Sequence, residues 1–270
     1  MSFLEEIVAK KRRHVDAAKQ VVSLEELRER AIESRASASS HRLSTALARD
    51  GVNIIAEFKR RSPSKGVIRA DVEPRRVVTS YERGGAVGIS VLTEQDYFAG
   101  SLDDLREVKG AVNLPVLRKD FLFDEFQIYE SASASADALL LIVAALNDES
   151  LRCLRRIAEE ELGIDALVEV HDAAEMERAV DAGAKLIGVN NRNLHTFEVS
   201  ISTSLELANM APSDCLLISE SGLKSADDLA HLRDVGYKGF LIGESLMRVE
   251  DPELALKDWI ASANVRTTTR

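Results

Sequence analysis

Cysteine is nearly absent from this chain. Its 270 residues hold two, Cys153 and Cys215. They stand far apart and at no metal or redox spacing, so both read as packing residues of a reduced, cytoplasmic compartment. Positive charge is short as well: 35 Lys and Arg against 45 Asp and Glu leave a net charge of -10 and a pI near 5.2. That balance argues against nucleic acid or an acidic membrane surface as the main partner, while leaving room for a local cationic site. No run approaches the ~20 apolar residues of a membrane span. The basic cluster Lys10-Lys11-Arg12-Arg13 is followed by no apolar stretch, so the start is not a signal peptide, and the cluster reads as a solvated helix face. No Gly-x-Gly-x-x-Gly follows a strand-like run, which removes the dinucleotide fingerprint. No His pair has metal-ligand spacing, so no metal site is expected, and no nucleophile elbow or placeable Ser-His-Asp order is present.

What is present is a helical start followed by a long alternation. The chain is 45% hydrophobic and 30% charged, the balance of a globular protein with a sizeable core. Phe3, Leu4, Ile7 and Val8 recur at helical spacing, and Ser23 with Glu26 forms a capping-box pattern ahead of Leu24, Leu27 and Ala31. Residues 1–48 therefore read as a helical extension, broken by a small polar loop over Ser34–Ser40. From Asn53 onward, apolar runs alternate with amphipathic segments. The runs are Asn53–Phe58, Gly88–Thr93, Pro115–Asp120, Ala138–Ala144, Ala166–Val170, Leu186–Asn190, Leu216–Ser219 and Gly239–Ile242. Between them Asp148, Asp172, Ser225 and Asp251-Pro252 sit where helices start, and Gly183 and Gly236 where they stop.

Eight strand-then-helix units in about 200 residues fit a closed (β/α)8 barrel, a TIM barrel, better than an open doubly wound sheet. Continuous apolar runs suit strands buried on both faces. The expected organisation is a single domain over 1–270, with the barrel at 53–262 and the extension at 1–48. The chain ends at Arg270 without a second catalytic segment and is expected to carry one function.

In such a barrel the active site lies at the C-terminal ends of the strands. The first strand ends with Glu57 and Lys59, which share a face because a strand has period two. It runs into Ser62-Pro63-Ser64-Lys65-Gly66, a turn whose Lys can meet an anion. The third strand carries Lys119, the fifth Glu169 and then His171, the sixth Asn190 to Asn193, and the seventh Glu220. Charges converging on one mouth perturb one another and suit acid–base chemistry. The fourth strand offers only wall. Ser221-Gly222 after the seventh strand and Gly243-Glu244-Ser245 after the eighth put glycine amides where these barrels bind phosphate. His171 is placed either to line the site or to start a helix. His195 follows the sixth strand, and His14, His41 and His231 fall away from the mouth.

These motifs together resemble the indole-3-glycerol phosphate synthases of tryptophan biosynthesis. The resemblance runs through Ile55-Ala56-Glu57-Phe58-Lys59, Ser62-Pro63-Ser64-Lys65-Gly66, Ser90-Val91-Leu92-Thr93-Glu94 and Leu117-Arg118-Lys119-Asp120-Phe121. It continues through Leu167-Val168-Glu169-Val170-His171, Gly188-Val189-Asn190-Asn191-Arg192-Asn193-Leu194, Ile218-Ser219-Glu220-Ser221-Gly222 and Gly243-Glu244-Ser245, covering nearly the whole chain. It implies a carbon–carbon carboxy-lyase without a cofactor, acting on 1-(2-carboxyphenylamino)-1-deoxyribulose 5-phosphate, a small molecule with phosphate and anthranilate moieties. By resemblance Lys119 is the acid for ring closure and holds the anthranilate carboxylate. Glu169 orients or relays protons to it, Lys59 and Glu57 serve dehydration, and Asn190 and Glu220 hold substrate hydroxyls and the anthranilate nitrogen. Ser62, Ser221, Gly222, Gly243 and Ser245 are implied around the phosphate, Phe98, Phe121 and Leu141 around the aromatic ring, and Arg192 at the carboxylate side. The extension is implied to pack over the barrel mouth, with a stabilising cap elsewhere on the barrel as the alternative. A monomer, or at most a weak homo-oligomer, is the expected state. The rival readings are another phosphate-binding barrel, such as a phosphoribosylanthranilate isomerase, and a non-catalytic barrel that only binds a phosphorylated metabolite.

Overall fold

The eight apolar runs close on themselves. In this computed structural model, which describes residues 3–194 and 196–265, β1 (Asn53–Phe58), β4 (Gly88–Leu92), β5 (Val116–Lys119), β6 (Ala138–Ile142), β7 (Asp165–Val170), β8 (Leu186–Asn190), β9 (Leu216–Glu220) and β10 (Gly239–Ile242) form one closed parallel barrel. His195 lies outside the described residues. β1 joins β4 on one side and β10 on the other, with Asn53 opposite Gly239 and Glu57 opposite Ser90. The helices between strands are α4 (Pro74–Arg83), α5 (Leu102–Lys109), α6 (Glu125–Ser133), α7 (Asp148–Arg156), α8 (Ala173–Asp181), α9 (Ser202–Leu207) and α10 (Ala226–Asp234), followed by α11 (Glu244–Arg248) and α12 (Pro252–Val265). Two features lie below the reach of sequence periodicity: α11, at five residues, and a hairpin of β2 (Arg61–Ser62) with β3 (Gly66–Val67) inside the loop after β1.

Helix ends follow their side chains. Asp172 Oδ1 accepts from Glu175 N at 2.9 Å, and Ser225 Oγ from Asp228 N at 3.3 Å. The cap of α7 is Asn147 rather than Asp148, its Oδ1 accepting from Ser150 N at 2.8 Å. Gly183 and Gly236 have φ of +81° and +108°, the left-handed backbone that glycine supplies where a helix ends.

The strand period divides two cores. Ile55, Leu117, Leu140, Leu167, Ile218 and Leu241 fill the barrel interior, while Ile54, Ala56, Val116, Leu139, Leu141 and Val168 face the helices. The extension serves both ends of this barrel. α1 (Phe3–Lys19) lies over the mouth, and α2 (Leu24–Arg35) packs along α6. α3 (Arg42–Leu47) plugs the opposite end, its Leu43 and Leu47 fully buried in the interior core against Gly88 and Gly239. Two strand starts hold that plug. Asp165 Oδ2 accepts from the α3 amides of Leu43 (2.8 Å) and Ser44 (3.0 Å), and Asn53 Nδ2 donates to Leu47 O at 3.1 Å. Both readings of the extension thus apply, to different helices.

The basic cluster is not wholly a solvated face. Lys11 is buried and donates to Asp120 Oδ2 at 2.7 Å. Asp120 also accepts from Arg118 Nη2 at 3.1 Å and Thr93 Oγ1 at 2.6 Å. A buried ion needs such partners, and this one ties α1 to the end of β5.

Candidate active site

Glu57, Lys119, Glu169 and Glu220 come from β1, β5, β7 and β9, the first, third, fifth and seventh strands of the barrel. Alternate strands contribute one layer of four side chains in this fold. The uppermost layer is therefore three carboxylates around one ammonium. The strand period explains why all four point inward: two residues below each lies an apolar interior residue, Ile55, Leu117, Leu167 or Ile218.

The ammonium is the hub. Lys119 Nζ donates to Glu169 Oε2 at 2.8 Å and lies 3.2 Å from Glu220 Oε2. Beside it, Lys59 Nζ donates to Glu57 Oε1 at 2.5 Å. Burial alone would lower Lys119, but Glu169, Glu220 and Glu57 outweigh it and hold the amine above its ordinary value. Burial pushes Glu169 up, yet Lys119 and His171 win and keep it well below the usual carboxylate range. Glu220 goes the other way. Burial and the Glu169 charge exceed the pull of Lys119 and raise it to about 7. One Lys cannot neutralise both carboxylates, so Glu220 is the one that keeps a proton most readily. Its Oε1 is buried without a hydrogen-bond partner, as is Ser62 Oγ. Orphaned atoms of this kind at a cavity wall are where a polar ligand fits.

Two glycines make the layer possible. A Cβ on Gly188 would stand 2.1 Å from Glu220 Oε1, and one on Gly243 would stand 2.3 Å from Glu57 Oε1. Gly243 thus clears space for a carboxylate as well as opening a loop.

Above the layer is a cavity of about 680 Å³. Glu57, Lys59, Lys119, Glu169, Asn190 and Glu220 all line it. So do Ser62, Phe98, Phe121, Arg192, Ser221, Gly222, Gly243 and Ser245. Leu141 does not: it faces the helices, fully buried, and its strand neighbours Leu140 and Ile142 line the cavity instead. β6 is apolar on both faces, so its run carried no mark of which face was inside. One side of the cavity is apolar. Phe98 and Phe121 stand 6.2 Å apart there, and α1 adds Phe3, Leu4 and Ile7, with Phe3 packed edge-on against Tyr97 and Phe197. The opposite side is the Gly-Ser side. Ser221 and Gly222 have φ of +65° and +76°, and Gly243 precedes the first turn of α11. Lys65, Lys224 and Arg248 also reach the cavity. The last two were missed in the sequence because each sits on a short segment with no periodicity.

A second cavity, of about 560 Å³, shares Leu4, Asn190, Arg192 and Leu194 with the first. His171 and Glu175 line it. His171 N donates to Glu175 Oε2 at 2.8 Å, and Nδ1 lies 3.0 Å from the same oxygen. Its Nε2 lies 3.3 Å from Glu169 Oε1, out of line for a full hydrogen bond. Burial would lower the imidazole, but Glu169 and Glu175 raise it to about 10. Among the described residues no group of three or more His, Cys, Asp or Glu is placed to hold a metal ion.

The pattern of the family described as indole-3-glycerol phosphate synthase matches residues 4–259. Proteins named indole-3-glycerol phosphate synthase are similar over nearly the full length. That of Chlorobium luteolum is 49% identical over 249 residues, 91% of this chain and 93% of its own. That of Carboxydothermus hydrogenoformans is 45% identical, covering 96% of this chain and all of its own, and that of Bacteroides thetaiotaomicron is 44% identical, covering 96% and 97%. Among solved structures, KGPDC from Streptococcus mutans superposes with a TM-score of 0.59 over 79% of this chain and 98% of its own. At 13% identity that likeness shows the fold alone.

Proposed function

Because the chain belongs to the indole-3-glycerol phosphate synthase family of tryptophan-pathway enzymes, we propose that its mouth cavity carries out ring closure, decarboxylation and dehydration of 1-(2-carboxyphenylamino)-1-deoxyribulose 5-phosphate. The observation that carries the site assignment is the pair of ammonium–carboxylate units in one cavity, Lys119 with Glu169 and Glu220, and Lys59 with Glu57. A reaction that closes a ring on a ketone and then expels that same oxygen as water must protonate it twice, and two units supply two donors.

The anthranilate ring occupies the Phe98–Phe121 side, where a flat apolar group buries well. The phosphate occupies the Ser62, Ser221, Gly222, Gly243 and Ser245 side, at the N-terminus of α11. Lys119 then stands between them at the ketone. Held above its ordinary value, it stays charged through neutral pH, binds the anthranilate carboxylate and polarises the ketone oxygen as it becomes an alkoxide. Glu169 fixes it. Glu220, raised to about 7, donates a hydrogen bond from its protonated form. With Asn190 it holds the substrate hydroxyls and nitrogen. Loss of carbon dioxide makes the carboxy-lyase step. Lys59 protonates the departing hydroxyl and Glu57 takes the ring proton. Arg192 steadies the carboxylate side of the mouth.

The two free thiols suit a cytoplasmic enzyme, acting as a single-domain monomer or at most a weak homo-oligomer. The test is direct. Purified protein mixed with the substrate is expected to develop indole fluorescence, and folded protein that develops none would sink the proposal.

A further inference from the structure

The proposed reaction has a proton deficit. The substrate enters with an ionised carboxylate, and carbon dioxide, water and the indole product leave without that charge. One proton must therefore be taken up in every turnover. The buried layer that spends it lies under the substrate and under α1, so a supply that avoids the bound substrate is needed. We propose that His171, held by Glu175 on the wall of the second cavity, is the relay that returns this proton to Lys119 through Glu169.

The geometry is a continuous row. Glu175 Oε2 lies 3.0 Å from His171 Nδ1, His171 Nε2 lies 3.3 Å from Glu169 Oε1, and Glu169 Oε2 lies 2.8 Å from Lys119 Nζ. The two Glu169 oxygens face different partners, so the carboxylate bridges ring and amine. The row starts in one cavity and ends in the other. His171 and Glu175 line the second cavity, whereas Glu169 and Lys119 line the mouth. The misaligned contact from His171 Nε2 leaves that nitrogen buried without a full partner, and catalytic contacts of this kind tighten when substrate is bound.

The transfer balances. The N–H bond at His171 Nε2 breaks and an O–H bond forms on Glu169. The carboxyl turns about its terminal torsion, a broad two-fold one. Its O–H then breaks as the N–H of Lys119 re-forms, and the neutral imidazole regains the Nε2 proton from solvent when the ring turns that nitrogen from Glu169 toward the second cavity. No electron moves. The relay is also gated. While Lys119 is charged it holds Glu169 in the ionised form, and once Lys119 has given its proton away that hold is gone. Other charged groups facing His171 are the neighbouring Asp172 and, across the second cavity, Glu5 of α1, Arg192 and Glu198.

This inference rests on the reaction proposed above, and His171 acts through Glu169 without touching substrate. The test uses the full chain with His171→Asn and Glu175→Gln. His171→Asn is expected to lower kcat roughly 100-fold, the low end of what a lost proton-transfer partner costs, with KM nearly unchanged. Imidazole added to the assay should restore part of that rate, which a merely structural defect would not allow. Glu175→Gln removes one carboxylate that stabilises the imidazolium, so the alkaline limb of kcat should move to lower pH. Wild-type kcat in His171→Asn, or a loss that imidazole leaves untouched, overturns the relay. If His171→Asn does not fold, an unmoved alkaline limb in Glu175→Gln overturns it instead. A wild-type chain that makes no product refutes the reaction rather than the relay.

Discussion

Gly243→Ala adds one methyl group and separates two roles of one residue. The backbone tolerates it, since Gly243 has φ of -120°, outside the left-handed region. The side chain does not fit. Its Cβ would stand 2.3 Å from Glu57 Oε1 and 3.0 Å from Glu57 Cβ. Ordinary contact is roughly 3.5 Å, so the carboxylate must retreat by about 1 Å. Glu57 is 4% exposed and held by Lys59, so the retreat takes its carboxylate into the cavity it lines and off the position that Lys59 holds. A misplacement of about 1 Å at the chemistry costs on the order of 100-fold in rate. Overpacking of this kind costs about 1–3 kcal/mol of stability. Steady-state kinetics by indole fluorescence, with inorganic phosphate as a competitive probe, reads both roles. The expected result is a large fall in kcat with the phosphate inhibition constant little changed. In a Glu57→Ala background the same substitution should cost much less, because the 2.3 Å clash has lost its target and only the 3.0 Å approach to the Cβ of position 57 remains. A phosphate constant that weakens many-fold while kcat holds would refute the reasoning, and would restore the simpler view of Gly243 as a phosphate loop alone.

Three further outcomes are expected. Lys119→Met should lower kcat by roughly 100- to 10,000-fold. It strands Glu169 and Glu220, so it should also cost about 3–5 kcal/mol at alkaline pH, with the Tm deficit shrinking toward pH 5 as the stranded carboxylates take up protons; a Tm equal to wild type at pH 8 would refute the buried hub. Glu220 is raised above its unfolded value, so its contribution to stability is present at low pH and is lost as pH rises through about 7. Glu220→Gln should flatten that limb of the Tm–pH curve, and an unchanged limb would count against it. Leu141→Ala should cost about 2–5 kcal/mol while sparing KM, whereas Leu140→Ala should weaken substrate binding; the reverse pattern would exchange their faces.

The barrel and its charged mouth were readable because both rest on short-range rules. Runs such as Leu186–Asn190 announce doubly buried strands, and Glu57, Lys119, Glu169 and Glu220 stand at strand ends where charge has no packing reason to be. What was hidden depends on closure. Leu141 was misplaced because β6 has no polar face to mark the outside. The cluster Lys10–Arg13 looked solvated because Lys11 meets Asp120 only after β5 is in place. The space cleared by Gly188 and Gly243 is set by side chains on neighbouring strands. His171 stayed ambiguous because it does two things, bonding Glu175 at a helix start and facing Glu169 across the cavity wall.

The plug at the foot of the barrel has a consequence for how the chain is made. Leu43 and Leu47 emerge early in synthesis, yet Leu47 packs against Gly239, which opens the last strand. The first-made segment therefore waits for the last-made strand, and contacts so distant in sequence close slowly. Until then those leucines and the open edges of β1 and β9 are uncovered, which is the state most prone to association with other nascent chains. Closure seals foot and seam in the same event. Enzyme assembly is thereby tied to complete translation: a chain arrested before β10 lacks the Gly239 surface that Leu47 packs on and the strand that carries Gly243 to Glu57.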